Sequence, residues 1–332
     1  MTSLQRILAI DAGGTTTRAL IVDASGHTLG FGQAGGGNPI SSGFEAASLA
    51  VVSATRAALE ATGVDSPTVS SALVALAGGN SAEPTDLMAT ALAEIGLRGP
   101  LHIESDLLAM FCSGTPEGHG YVLIAGTGAV AGRITDAHLD FVSDGVGWLL
   151  GDGGSGFWIG RKVARAVAAE LDGRGPSTAL TPALLGMLGL GAAEDRTFGR
   201  PQVQLQLIRA LYGMRPIELA RFSPLAFAAA DDEVAQDIRH GAATQLANTF
   251  AAVHLEGHGG PIVVGGSVLR QLSAQPPLST VLQDGSGRSP LITVDDGVVG
   301  AAVLALRRAQ IAVDNDMFTR ITLGLAELRR KA

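Results

Sequence analysis

Short apolar runs that end in glycine or an acid alternate along this chain with longer stretches whose apolar residues recur every three or four positions. The first kind reads as buried strands and the second as helices. Ile7 to Ile10 is such a run; it ends at Asp11, and Gly13-Gly14 then allow a tight turn. Thr15-Thr16-Thr17 and a second run, Ala19 to Val22, complete a hairpin that turns again at Ser25-Gly26. Thr28 to Phe31 predicts a third strand, broken by Gly35-Gly36-Gly37-Asn38-Pro39. Ser42-x-x-Glu45 has the form of a capping box and predicts a helix running to Gly63. Val69 to Leu76 and Leu101 to Ile103 read as strands, with a helix over Pro84–Ile95 between them and another after Ser105-Asp106.

The same order returns further on. Tyr121 to Ala125 ends in Gly126-Thr127-Gly128, and Val130–Ile134 with Leu139–Val142 completes a meander. A glycine-dense segment, Asp144 to Gly156, leads into a helix over Ser155–Leu171. Residues 172–258 read as helical throughout, with Ser223-Pro224 as cap and first turn. Pro261–Val264, ending in Gly265-Gly266-Ser267, and Leu291–Val294 are strands, and Gly297–Arg307 is a helix of small residues. The pattern β-β-β-α-β-α-β-α thus occurs twice, with helices inserted in the second copy. It predicts an α/β duplication whose two Gly/Thr turns face one cleft.

Composition narrows the picture. A chain of 332 residues exceeds one typical core, so two domains are expected. The net charge of −8 disfavours nucleic acid or an anionic membrane as partner. No apolar stretch reaches membrane-spanning length and Met1–Leu8 lacks the form of a signal peptide, so the expected location is the cytoplasm. Cys112 is the single cysteine, which excludes an internal disulfide; it reads as a small buried hydrophobe. His254-x-Glu256-x-His258 has the spacing of a metal pair, but the glycines around it argue against a zinc site. Arg161, Lys162 and Arg165 read as a solvated helix face with phosphate contact as the alternative.

Several stretches carry candidate chemistry. A concave row of amides at Gly13, Gly14 and Thr15 suits phosphate oxygens, and a carboxylate beside it at Asp11 suits magnesium. Asp106 stands where a strand gives way to a helix, a place for a general base or for an N-cap; Glu104 is its nearest rival. Asp152 precedes the next helix and is either another cap or a ligand for vicinal hydroxyls. Trp148 offers a stacking face or a core side chain, and Trp158 reads as core.

Taken in order, these stretches resemble the sugar kinase/Hsp70/actin superfamily, and within it the N-acetylglucosamine kinase branch grouped with the BadF/BadG/BcrA/BcrD ATPases. The resemblance covers nearly the whole chain. It rests on Asp11-Ala-Gly-Gly-Thr15, Ser105-Asp106, Ile124-Ala-Gly-Thr-Gly128, Gly147-Trp-Leu-Leu-Gly-Asp152 through Ser155, and Val264-Gly-Gly-Ser267. It implies two ribonuclease-H-like domains, 1–117 and 118–332, the second carrying the insertion at about 172–258. It further implies ATP held by Gly13, Gly14, Thr15, Thr127 and Gly128, with Gly265 and Gly266 against the adenosine, and Mg²⁺ held by Asp11 through water. Asp106 would be the base, and Asn38, Gly79, Gly145, Trp148 and Asp152 would line the sugar with it.

The implied reaction is ATP-dependent phosphorylation of an amino sugar at its 6-hydroxyl, N-acetylglucosamine first and glucosamine as alternative, by a homodimer. A non-sugar actin-like ATPase is a more remote alternative. Two departures stand out: Val146 replaces a tryptophan of the animal kinases, and Gly153 stands where glutamate is usual. Val146 thins the wall expected around a 2-acetamido group. The radical-dehydratase activators of the same group need two cysteines per subunit for an iron–sulfur cluster, and the related sugar-responsive repressors need an N-terminal helix-turn-helix. Cys112 alone and a first strand starting near residue 7 disfavour both.

Overall fold

The computed structural model describes residues 5–39, 43–64, 68–76, 83–191, 195–286 and 290–331. The first sheet contains β1 (Arg6–Ala12), β2 (Thr17–Asp23), β3 (Thr28–Ala34), β4 (Ser71–Leu76) and β5 (Leu101–Ser105), in the order β3-β2-β1-β4-β5. The three opening strands pair antiparallel, whereas β4 and β5 run parallel to β1. Helix α1 (Phe44–Glu60) lays Ala47, Val51, Ala54 and Ala58, one stripe at helical spacing, on the sheet's outer face. Its N-cap is Gly43, which has no side chain to offer, so the described helix start makes no capping-box bond; Ser42 lies outside the described residues. Helices α2 (Glu83–Glu94) and α3 (Asp106–Gly114) follow β4 and β5.

The second half repeats this plan. Strands β6 (Gly120–Ala125), β7 (Ala129–Thr135) and β8 (His138–Asp144) form the meander, followed by a single turn α4 (Gly147–Leu150) and by α5 (Gly156–Leu171). The insertion is not helical throughout. After α6 (Leu180–Met187) a short hairpin of β9 (Arg196–Thr197) and β10 (Arg200–Pro201) intervenes before α7 (Gln202–Tyr212). Gly199, at a φ of 78°, provides the hairpin's reversal. A 3₁₀ segment, Pro216–Phe222, then runs into α8 (Ser223–Ala228), so Ser223 is already helical and caps nothing, while Pro224 sits in the first turn as expected. Helix α9 (Glu233–Val253) closes the insertion. Strand β11 (Ile262–Gly265), helices α10 (Leu269–Leu272) and α11 (Leu278–Ser286), strand β12 (Leu291–Val294), α12 (Val298–Arg308) and α13 (Asn315–Lys331) complete the chain. The sheet order β12-β11-β6-β7-β8 matches that of the first half.

The halves exchange helices. Helix α3, from the first, packs on β6, β11 and β12, and α12, from the second, packs on β1, β2 and β4. The two cross closely at Gly300, where a Cβ would collide with the Ala109 carbonyl and where the Gly300 N–H donates to Ser113 Oγ at 2.7 Å. Phe111, Val122, Val263, Val298 and Leu306 are fully buried in this shared layer. A separate core lies between the second sheet and α5 through α9, centred on Tyr121, Val163, Leu246 and Phe250. Among the described residues no helix is long and apolar enough to cross a membrane.

Candidate active site

Strand register brings the candidate turns to one level. Ala12, Leu76 and Ser105 are paired in sequence across β1, β4 and β5, as are Ile124, Gly265 and Val294 across β6, β11 and β12. The turns after β1, β6 and β11, and the acids Asp106 and Asp296, therefore leave the sheets at the C-terminal ends of parallel strands, where α/β folds bind ligands.

Asp11 is 6% exposed. Its cross-strand partner is Arg18, whose guanidinium lies 3.8 Å from Oδ2, and the Gly297 N–H donates to the same oxygen at 3.0 Å. Burial and the negative charge of Asp296 push its pKa up to about 7, Asp106 adding to the rise, while Gly297 and Arg18 oppose it. Asp296 is itself clamped: Oδ2 meets Arg18 Nε at 3.1 Å and Arg329 of α13 at 2.6 Å, and Oδ1 accepts from the Val298 N–H at 3.2 Å. A buried carboxylate next to the exposed Gly14–Thr15 turn fits Mg²⁺, a hard cation that takes oxygen ligands, keeps most of its water and needs only one or two protein carboxylates. Among the described residues no three His, Cys, Asp or Glu side chains converge as a metal cage.

The first turn is closed by Gly13 N–H to the Thr16 carbonyl at 3.1 Å, leaving Gly14 and Thr15 exposed at its tip. Gly37 and Asn38 both donate to the Gly13 carbonyl, at 3.0 and 3.2 Å, so Asn38 is tied to this turn. The second turn folds through Gly126 N–H to Gly128 O at 3.0 Å. The first amides of α5 hold it from behind: Gly156 donates to Gly126 O at 2.7 Å and Phe157 to Thr127 O at 3.1 Å. Gly266, at a φ of 101°, backs onto the Ala125 carbonyl, which also accepts from Val268 at 3.0 Å. Gly266 therefore sits directly against the start of the second turn, whereas Gly265 is buried with its Cα facing Met110.

Both expected helix caps are serines rather than the neighbouring acids. Ser105 Oγ accepts from Leu107 N at 3.2 Å at the start of α3, and Ser155 Oγ accepts from Trp158 N at 3.2 Å at the start of α5. Asp106 is the first helical residue, with its pKa raised by burial. Glu104 is engaged elsewhere, 3.0 Å from Arg308. Asp152, 5% exposed and at a φ of 59°, accepts the Ala129 N–H on Oδ1 at 2.9 Å. Gly128 has to be glycine beside it, because a Cβ would stand 2.7 Å from that oxygen. Burial raises the Asp152 pKa, Ala129 lowers it and Asp144 raises it again.

Asp144 was not singled out by the sequence pattern, yet it organises the loop. Its Oδ1 accepts from Gly145 at 2.8 Å and from Asp152 N–H at 2.7 Å, and its Oδ2 from Gly153 at 3.0 Å. Ser143-Asp144-Gly145 at a strand end is the available signal, since aspartate bonds to nearby amides in turns. Arg18, Asp296 and Arg329 were missed as well. The hairpin turn alone implies the Asp11–Arg18 pairing, and Asp296 repeats the strand-acid-helix pattern of Asp106; nothing local marks Arg329. Gly145 donates to the Ala129 carbonyl at 2.9 Å and so sits against the second turn. Trp148 is not core: it is 41% exposed with its ring 5.7 Å from Phe157, and Val146, Leu149 and Leu150 stand exposed beside it. Gly79 lies outside the described residues.

The remaining candidates resolve simply. Cys112 is buried with its thiol pushed up to about 11 by burial. His254 ends α9 in an extended conformation and stacks on Tyr121, and His258 meets the same ring edge-on.

Known proteins share this fold. Residues 8–305 match the BadF/BadG/BcrA/BcrD ATPase family. An N-acetyl-D-glucosamine kinase from Dictyostelium discoideum is 28% identical over 322 residues, 92% of this chain and 98% of that protein. A solved protein of Chromobacterium violaceum with the provisional name N-acetylglucosamine kinase superposes with a TM-score of 0.67 at 23% identity, covering 91% of this chain and 99% of that one. A ROK family glucokinase from Streptomyces griseus, solved with glucose and AMPPNP, gives a TM-score of 0.51 at 20% identity, covering 92% and 100%.

Proposed function

Because the chain belongs to the BadF/BadG/BcrA/BcrD ATPase family, we propose that it transfers the γ-phosphoryl group of ATP to the 6-hydroxyl of N-acetylglucosamine. What supports the reading is that Asp106 lies close enough to raise the pKa of Asp11, that both stand at strand ends of the first sheet, and that each sheet carries an amide-lined turn at such an end. The Dictyostelium kinase, similar over nearly its full length, supports the sugar.

In this reading Gly13, Gly14 and Thr15 hold the phosphates from one side and Thr127 and Gly128 from the other, with Gly265 and Gly266 along the adenosine. Asp11 holds Mg²⁺ through water, and the ion, when bound, neutralises charge on the phosphates. The sugar lies against Asn38, Gly79, Gly145, Trp148 and the second oxygen of Asp152. Its O6 bonds to the γ-phosphorus as the bond to the β,γ-bridging oxygen breaks; ADP leaves, and Asp106 accepts the O6 proton. Burial favours this role, because a raised pKa makes the carboxylate a stronger base. The halves, 1–117 and 118–332, would close over both ligands in a cytoplasmic homodimer.

Glucosamine is the second reading, carried by exposed Val146 at the acetamido wall. A coupled ADP-release assay over N-acetylglucosamine, glucosamine, N-acetylmannosamine, N-acetylmuramic acid and glucose separates the possibilities. The highest kcat/KM is expected for N-acetylglucosamine, and glucose equal to or above every hexosamine would overturn the assignment.

A further inference from the structure

Outside the strand-end site, the molecule has an open concavity of about 470 Å³ between α5 and α9. Trp158, Lys162 and Arg165 line one wall, and Asp237, Thr244 and Gln245 the other. The Lys162 ammonium is held over the Trp158 ring, 5.0 Å from its centroid, and Gly241 packs against the ring from α9. Arg165 follows Lys162 by three residues, so both cations face the groove. Neither cation is in an ion pair among the described residues, and Asp237 across the groove is not either. Lys162, Arg165, Asp237 and Gln245 are solvent-exposed around this one concavity, and Thr244, whose hydroxyl donates to the His240 carbonyl at 2.9 Å, keeps its oxygen as an acceptor.

We propose that this groove is a second ligand site that binds a phosphorylated sugar, the chemical class of product under the function proposed above. The two cations suit a phosphate dianion. Asp237, Thr244 and Gln245 suit sugar hydroxyls, and the volume lies within the range of small-molecule sites and is far larger than phosphate alone requires. The walls of the groove are also the supports of the strand-end site. Helix α5 begins with the amides that hold Gly126 and Thr127. On α9, Gln245 packs against Gly153 and the Ala242–Leu246 turn packs against Gly154, directly after Asp152. A ligand that alters the spacing of α5 and α9 therefore shifts the second turn and the Asp152 carboxylate together, and the two sites are coupled in both directions.

The test is calorimetric titration of N-acetylglucosamine 6-phosphate, glucosamine 6-phosphate and inorganic phosphate into the full chain. The strand-end site is kept occupied by N-acetylglucosamine and a non-hydrolysable ATP analogue. Binding of a sugar phosphate that weakens at least tenfold in Lys162→Ala/Arg165→Ala, but not in Arg161→Ala, is the expected result. The double variant should retain basal kcat/KM while losing inhibition by added sugar phosphate that sugar does not relieve. No binding, or inorganic phosphate binding as tightly as the sugar phosphates, would overturn the proposal. So would a double variant whose only change is its sedimentation, which would mark the groove as a contact between copies. Titration reads binding without turnover. A chain inactive on every sugar would fail the function above and leave this result standing.

Discussion

Arg18 on β2 reaches Asp296, at the end of the second sheet, with Nε 3.1 Å from Oδ2, and its guanidinium also lies 3.8 Å from Asp11. One side chain thus ties the opening hairpin to the strand end of the other half and sets the charge around the candidate magnesium carboxylate. Arg329 grips the same Asp296 oxygen from the last helix and spreads its guanidinium 5.3 Å from the centre of the Phe31 ring. Asp296→Ala leaves two guanidinium groups without their shared acceptor. A loss of about 2–4 kcal/mol is expected from breaking this largely buried network, read from urea unfolding. A loss within error of zero would show that the link is dispensable.

Asp11 makes stability depend on pH in a defined sense. Its pKa is raised from 3.8 to about 7, so the folded chain binds this proton more tightly than the unfolded chain. The favourable contribution is present below about pH 4 and is lost as pH rises toward 7. Asp11→Asn removes the buried charge and should raise the Tm of the magnesium-free protein at pH 8, with the gain vanishing near pH 4. The rise from 3.8 to about 7 corresponds to at most ~4 kcal/mol. Thermal melts at the two pH values decide it, while kinase activity should fall in the same variant.

Under the proposed function, Asp106 is the base while Ser105 caps the helix. Asp106→Asn should lower kcat by roughly 10²–10⁴, the usual worth of a positioned base, with little change in stability. Ser105→Ala should cost about 1 kcal/mol of stability through the lost cap. Because burial raises the Asp106 pKa, the acidic limb of the kcat/KM profile should lie above the ordinary carboxylate range and disappear in Asp106→Asn. A variant that retains most of its kcat would remove Asp106 from the chemistry.

The loop from residue 144 to residue 153 depends on Asp144. Asp144→Ala strands three backbone N–H groups and frees Asp152 from its seat. The sugar KM should rise tenfold or more, with faster proteolysis inside this loop. Asp152→Ala should raise the sugar KM and also weaken ATP, because Asp152 holds Ala129 at the second turn. A pure sugar effect for Asp152→Ala would show that its bond to Ala129 does not matter to the nucleotide.

The strands, their order and the duplication were legible in the sequence because buried strands are short apolar runs and their ends are marked by glycine. Asp11, Asp106 and Asp152 were legible as acids at such ends, and the glycine turns as places where amides approach a ligand. Asp144 and Asp296 have the same local marks but no resemblance to direct attention to them. Which partners each acid meets was decided by its surroundings. Ser105 and Ser155 took the caps, so Asp106 and Asp152 were left for other partners; Arg308 drew Glu104 away; and Arg18 with Arg329 clamped Asp296. Hydrogen-bond competition and ion pairing act between residues hundreds of positions apart, as between Asp11 and Gly297, and no local periodicity encodes them. The groove between α5 and α9 has the same origin: Lys162 and Arg165 are an ordinary basic helix face in the sequence, and only the packing of α9 beside them makes it a concave site.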